Sequence, residues 1–185
     1  MTQLIFAISL CCISTIFIMC LPSIFTNRYR FFPPVSVDTW QYYLFWGLFR
    51  IFVIGLIIVS VLEFKNTEVG LIYLIGLSLL ISGIGFACYI SYVVLGQNNS
   101  YGGKSGLRTK GIYRWSRNPV YVVTFVGMLG WGLFIHSVLV WWLLGVWATT
   151  YLLAPYIEEP WLEKEYGKEY LEYKSKTPRF IGILK

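Results

Sequence analysis

The sequence has 185 residues, of which 57% are hydrophobic and 13% are charged, and its mean hydropathy is +0.63. This composition excludes a soluble globular domain and predicts an integral membrane protein. The formal net charge of +6 is spread over connecting segments and a C-terminal tail, which favours contact with anionic lipid headgroups rather than nucleic acid.

Five apolar stretches predict five transmembrane helices, since a helix needs roughly 20 apolar residues to cross a bilayer. They run over residues 4–25, 40–62, 69–95, 120–135 and 138–157. Their continuous apolar character favours helices over barrel strands. The predicted fold is therefore all-α and polytopic, with residues 1–185 forming a single membrane domain. The four cysteines lie in these stretches without metal-ligand spacing, so no metal site is predicted.

The charges between the stretches predict the orientation in the membrane. Of the 15 lysines and arginines, all but Arg50 and Lys65 fall in residues 26–39, 96–119 and the C-terminal tail. The positive-inside rule then places the N-terminus outside and the C-terminus in the cytoplasm.

Arg50 is the only formal charge inside an apolar stretch. A cation near the bilayer centre is costly unless it meets water, carbonyls or an anion. Arg50 is thus a candidate for binding an acceptor anion, the alternative being a snorkelling side chain with a structural role. In the third stretch, Gly83 and Ala87 share one helix face and predict close helix packing.

The sequence Arg117-Asn118-Pro119 predicts the start of the fourth membrane helix. Asn118 suits the cap, where its side chain would bond free amides, and Pro119 suits the first helical position. The amides of this helix end, together with Arg114 and Arg117, favour an anion such as a carboxylate or phosphate. Simple capping and positive-inside anchoring are the alternatives.

The fifth helix ends in Pro155 and an acidic pair. Pro155 predicts a kink. Glu158 and Glu159 point about 100° apart on a helix, so at most one can face a given ligand. A solvated helix end is the alternative, but acids are unfavourable at a helix C-terminus. The only histidine, His136, lies in the turn on the opposite side of the membrane, which excludes it as a base beside the acidic pair.

The tail from residue 160 to 176 predicts a cytoplasmic amphipathic helix that begins at Pro160. Leu162, Tyr166, Tyr170 and Tyr173 share one face at helical spacing. Gly167 within it is unfavourable for a helix, which suggests a close approach to its backbone.

Taken in order, these residues resemble the isoprenylcysteine carboxyl methyltransferase and phospholipid methyltransferase superfamily. The matching positions are Gly111, Tyr113, Arg117, Asn118, Pro119, Tyr121, Glu158, Glu159, Tyr166, Gly167, Tyr170, Tyr173, Pro178 and Arg179. Two positions depart from the pattern: Asn118 replaces a histidine and Val123 replaces a glycine.

The resemblance implies an enzyme that transfers a methyl group from S-adenosyl-L-methionine to a lipophilic acceptor at the cytoplasmic face. The cofactor would lie within residues 111–179, between the last two membrane helices and the tail helix. The acceptor would be a prenylcysteine-type carboxylate or a phospholipid amine. The cofactor-binding candidates are Tyr113, Arg117, Asn118, Tyr121, Glu158, Glu159, Tyr166 and Tyr170, and the catalytic candidates are Arg50, Arg114 and Glu158.

Two alternatives compete with this reading. Membrane sterol or enone reductases that use NADPH are similar in the same C-terminal region, but an Arg-Asp pair is expected where Glu158 and Glu159 stand. A non-enzymatic membrane scaffold would need no cofactor, and it leaves the acidic pair without a reason.

Overall fold

The computed structural model describes residues 1–25, 31–34, 38–64, 70–100 and 106–182. The helices are α1 (Thr2–Cys20), α2 (Pro22–Phe25), α3 (Trp40–Glu63), α4 (Leu71–Tyr89), α5 (Gln97–Ser100), α6 (Pro119–Ile135) and α7 (Val138–Lys176). A π-helical stretch (Ile90–Gly96) extends α4, and a 3-10 turn (Gly111–Arg114) precedes α6. The described part contains no strand. Of the cations in the orientation argument, Arg28, Arg30, Lys65, Lys104 and Lys185 lie outside the described residues.

Four helical segments are long and apolar enough to cross a membrane. They cover Thr2–Phe25, Trp40–Glu63, Leu71–Gly96 and Val138–Lys176, and α6 is a shorter apolar helix. The prediction of an all-α, multi-pass membrane protein with about five membrane helices is therefore confirmed.

Glycines bring α4 and α6 into close contact. A Cβ atom on Gly83 would lie 2.2 Å from the Gly127 backbone nitrogen, and one on Gly76 would lie 2.7 Å from the Phe134 nitrogen. A Cβ atom on Gly130 would likewise lie 2.3 Å from the Leu80 backbone nitrogen. Real Cβ atoms do not approach backbone this closely, so the two helices can touch only because these positions lack side chains. The close packing predicted for the Gly83 face is thus confirmed.

Helix α1 packs against α3 and α7, and these helices form one half of the molecule, while α4 and α6 form the other half. Ile13 and Ile16 of α1, Phe52 and Leu56 of α3 and Leu143 of α7 are all buried in one apolar core. A hydrogen bond from Trp131 Nε1 to Ser60 Oγ, at 2.8 Å, joins this half to α6. The cavity described below lies between the two halves.

Helix α7 carries the acidic pair and the tail in one element. Helical backbone angles persist through Pro155 and Pro160, and the chain departs from them only at Gly167, with φ 53° and ψ −127°. The tail helix predicted to begin at Pro160 is therefore continuous with α7, and the one break in the helical angles of α7 lies at Gly167. A Cβ on Gly167 would meet nothing within 4 Å, so no described part of the chain makes the predicted close approach to this backbone. The glycine is needed there for its positive φ, which side chains disfavour.

Candidate functional site

A cavity of about 430 Å³ opens between the helices. Its volume falls in the range of sites that hold one small organic ligand, roughly 300–1,000 Å³. Its polar wall comes from the segment before α6, the start of α6 and the second half of α7. This wall includes Arg108, Tyr113, Arg117, Asn118, Tyr121, Glu158, Tyr166 and Tyr170.

Aromatic and apolar side chains form much of the remaining wall. It includes Phe45, Trp46 and Phe49 of α3 together with Trp147 and Tyr151 of α7. The Phe49 and Trp147 rings lie 5.8 Å apart, and the Trp147 and Tyr151 rings 5.5 Å apart. The sequence prediction missed these residues. Their four-residue spacing on two helices is the signal that could have found them.

Glu158 is the one carboxylate among the described residues of the cavity wall. It is half-buried, and Tyr121 Oη donates a hydrogen bond to its Oε1 at 2.5 Å. The Tyr121 ring in turn packs against the Tyr151 ring, with centroids 4.7 Å apart. Because one carboxylate oxygen is held by Tyr121, the second is available to a ligand.

Glu159 turns away from the cavity and forms a buried ion-pair cluster. It is only 4% exposed. Arg179 approaches it with Nε at 2.7 Å and Nη2 at 2.8 Å from its two oxygens, and Arg117 Nη1 and Lys174 Nζ follow at 3.1 Å and 3.5 Å. The helical offset between neighbouring residues thus gives the two glutamates different partners, as predicted. The structure does not bring Glu159 to the cavity wall.

Arg117 lies between the cavity and this cluster. Its side chain is 8% exposed, and Nη1 reaches both Glu159 and, at 3.5 Å, the hydroxyl oxygen of Tyr170. Its Nε is buried and has no hydrogen-bond partner in the described part of the chain. Buried donors without partners are rare and costly. An anion in the cavity beside Arg117 would remove that cost.

The predicted cap at Asn118 is wrong, although α6 begins at Pro119 as predicted. The Asn118 side chain makes no cap bond to the helix amides. Its Nδ2 instead donates to the Arg179 carbonyl oxygen at 2.9 Å, while its backbone N–H donates to Ser116 Oγ at 3.0 Å. The amide side chain can make this long-range bond because residues 178–179 return to the start of α6.

Residues 178–179 fasten the end of the described chain to the site. The Arg117 backbone N–H donates to the Pro178 carbonyl oxygen at 2.9 Å. The Arg179 guanidinium also lies 4.0 Å from the centre of the Tyr156 ring. Its hydrogen bonds to Glu159 raise the pKa of Arg179 above the usual range, so this side chain remains a cation.

The tyrosines of the polar wall are partly structural. Tyr173 Oη donates to the Tyr113 carbonyl oxygen at 2.6 Å and so binds α7 to the 3-10 turn. Burial, and then the nearby Glu158, raise the pKa of Tyr113 well above its usual range, which keeps its hydroxyl protonated. Tyr166 lines the cavity, and Tyr170 lines it while being almost completely buried.

The structure does not bring Arg50 or Arg114 to the cavity. Arg50 is exposed on α3 and absent from the cavity wall, whereas its neighbour Phe49, about 100° around the helix, faces the cavity. Arg114 is exposed and faces a separate depression that Glu172 and Lys176 also line. His136 lies in the turn between α6 and α7 with φ 53°, as predicted for that turn, and is likewise not on the wall.

A comparison with protein families gives one finding. A family model described as Phospholipid methyltransferase matches residues 71–169. The match runs from the start of α4 into the second half of α7 and takes in Arg117, Tyr121, Glu158 and Glu159. Neither the curated proteins nor the solved structures gave a match.

Proposed function

Because the chain belongs to the phospholipid methyltransferase family, we propose that it transfers a methyl group from S-adenosyl-L-methionine to a lipophilic acceptor at the cytoplasmic membrane face. One observation carries this proposal: Glu158 and Arg117 line the same cavity, and the buried Nε of Arg117 has no hydrogen-bond partner in the described part of the chain. The amino-acid end of the cofactor carries both a carboxylate and an ammonium. Arg117 provides a positive charge for the carboxylate, and Glu158 provides a negative charge for the ammonium.

The residues present fit this cofactor. Arg117 would bind the carboxylate through a charge-assisted hydrogen bond. The free oxygen of Glu158 would accept from the ammonium or a ribose hydroxyl, and the Tyr166 ring offers a surface for the adenine. When bound, the cofactor supplies the electrophilic methyl group. The protein then has to hold the acceptor in line with it and to exclude water.

The aromatic half of the cavity suits the lipophilic acceptor. Of the two acceptor classes we favour the phospholipid amine, because the matched family is described as Phospholipid methyltransferase. An acceptor carboxylate would need a cation; Arg50 and Arg114 are off the wall and Arg117 would be engaged by the cofactor, which leaves Arg108 for that role. An amine must also lose a proton, and the second oxygen of Glu158 has two lone pairs, so it can accept from the cofactor and still take the proton of the amine.

Calorimetry on the detergent-solubilised full chain tests the cofactor. S-adenosylhomocysteine should bind at one site per chain, and Arg117→Ala should weaken that binding because the charged donor is lost. Binding of NADPH alone would instead establish the reductase alternative, and binding of neither compound would favour the scaffold.

Transfer of a radioactive methyl group to lipids in vesicles tests the acceptor. We expect transfer to an amine headgroup such as ethanolamine and less to a prenylcysteine carboxylate. Transfer to the carboxylate alone would contradict the amine assignment and leave the cofactor assignment intact.

A further inference from the structure

Arg179 acts on the polar wall of the cavity without lying on it. Two carbonyl oxygens of its segment hold the residues before α6: that of Pro178 accepts from the Arg117 backbone, and that of Arg179 accepts from Asn118. The Arg179 side chain makes a different contact, a two-pronged bond to Glu159. The backbone tether and the side-chain contact can therefore be separated by mutation.

The charges around Glu159 are unequal in number. Glu159 faces the three cations Arg117, Lys174 and Arg179. Lys174 is held more closely by a second carboxylate, Glu163, at 2.5 Å than by Glu159 at 3.5 Å. Arg179 has the strongest geometry, since parallel N–H bonds to both oxygens at 2.7 and 2.8 Å match the shape of a carboxylate. Arg117 reaches Glu159 only through Nη1, at 3.1 Å, and its Nε stays unpartnered in the described part.

We propose that Arg179 is a positioning residue: by engaging both oxygens of Glu159, it limits Glu159 to the single contact with Arg117 Nη1 and so keeps the rest of the Arg117 guanidinium available to an anion in the cavity. This inference rests on the proposed function, in which that anion is the carboxylate of S-adenosyl-L-methionine. Without the Arg179 side chain, Glu159 turns its charge to its nearest remaining arginine, Arg117. The affinity for the carboxylate then falls, although no atom of Arg179 touches the cofactor.

The test compares two ligands that differ by one group, S-adenosyl-L-methionine and its decarboxylated form, which keeps the ammonium and sulfonium. The dissociation constant of the decarboxylated form divided by that of S-adenosyl-L-methionine reports carboxylate recognition, and a larger ratio means stronger recognition. Arg179→Ala retains the backbone carbonyl and should lower that ratio by about tenfold, the scale of one charge-assisted hydrogen bond. Arg179→Lys keeps the charge without the two-pronged geometry and should give a smaller loss.

The double variant Arg179→Ala/Glu159→Gln makes the prediction specific. Once Glu159 carries no charge it cannot sequester Arg117, so the ratio should return to within about twofold of the wild-type value, on the scale of a lost neutral hydrogen bond. Lys176→Ala is the matched control. It removes a cation at the end of α7, close to Arg179 in the chain, whose one ion pair in the described part is with exposed Glu172, and it should leave the ratio unchanged.

A purely structural role of Arg179 would give a different result. Both ligands would then bind more weakly by the same factor, and Glu159→Gln would add a second loss instead of restoring the ratio. Either outcome overturns the inference. The proposed function still stands in that case, provided that the wild-type chain binds S-adenosyl-L-methionine. If the wild-type chain does not bind this cofactor, the proposed function fails and the inference with it.

Discussion

Changing each of the two adjacent glutamates to glutamine distinguishes the role of Glu159 in the ion-pair cluster from the role of Glu158 in the cavity. The substitutions Glu158→Gln and Glu159→Gln make the same chemical change one residue apart on the same helix. Glu159 is buried among three cations, whereas Glu158 faces the cavity and is held by the neutral hydroxyl of Tyr121. We therefore expect Glu159→Gln to reduce stability and Glu158→Gln to reduce function.

The stability difference follows from the contacts of the two side chains. Breaking a buried ion pair costs about 3–5 kcal/mol. Glutamine keeps one acceptor oxygen, and the Lys174 and Arg179 side chains are 35% and 29% exposed, so we expect about 2 kcal/mol for Glu159→Gln. At roughly 2–4 °C per kcal/mol for a chain of this size, Tm falls by about 4–8 °C. Glu158→Gln keeps the acceptor for Tyr121 and should change Tm by only about 1 °C.

Thermal unfolding of the detergent-solubilised variants measures this difference, and S-adenosylhomocysteine binding is measured on the same samples well below Tm. Glu158→Gln should weaken binding or abolish transfer at nearly normal Tm. Glu159→Gln should still bind, because Arg117 remains charged. Equal losses of Tm in the two variants would refute the division of roles, as would loss of binding in Glu159→Gln alone.

Three further outcomes are expected. Tyr121→Phe should lower methyl transfer at saturating cofactor by about tenfold, because Glu158 loses the hydroxyl that orients it, with little change in Tm; an unchanged rate would contradict this. Gly167→Ala should lower Tm through a cost of at least about 1 kcal/mol at a positive φ, whereas Gly145→Ala in the same helix has open space and should be neutral or stabilising; equal shifts would contradict the conformational role of Gly167. A reporter fused to the N-terminus should be found outside and one at the C-terminus in the cytoplasm, and the opposite orientation would place the acidic pair on the other side.

The membrane helices could be predicted from the sequence because the bilayer imposes a simple constraint on length and polarity. The start of α6 at Pro119 and the close packing at Gly83 follow equally local rules. The prediction that a new helix begins at Pro160 is wrong because proline is tolerated inside a membrane helix when neighbouring groups satisfy the backbone. Only the structure shows that the break lies at Gly167.

The site was predicted in part, and the reason lies in the range of its contacts. Glu158, Arg117 and Tyr121 belong to local motifs and line the cavity together. The roles of Asn118 and Glu159 depend on Arg179, which is 61 residues from Asn118 in the chain, and no local pattern reports such a contact. Arg50 was selected for its cost in the bilayer, but a sequence does not tell which side of a helix faces a cavity.

The contacts of residues 178–179 also bear on the order of biosynthesis. Chains enter the membrane from the N-terminal end as they are made, so α6 is inserted before the carbonyl groups that hold Arg117 and Asn118 exist as part of the nascent protein. While residue 179 is still inside the ribosome, the helices that line the cavity have already been made, but the contacts of residues 178–179 with Arg117 and Asn118 have not formed. The contacts of residues 178–179 with the start of α6 are therefore completed only after the membrane helices have been made.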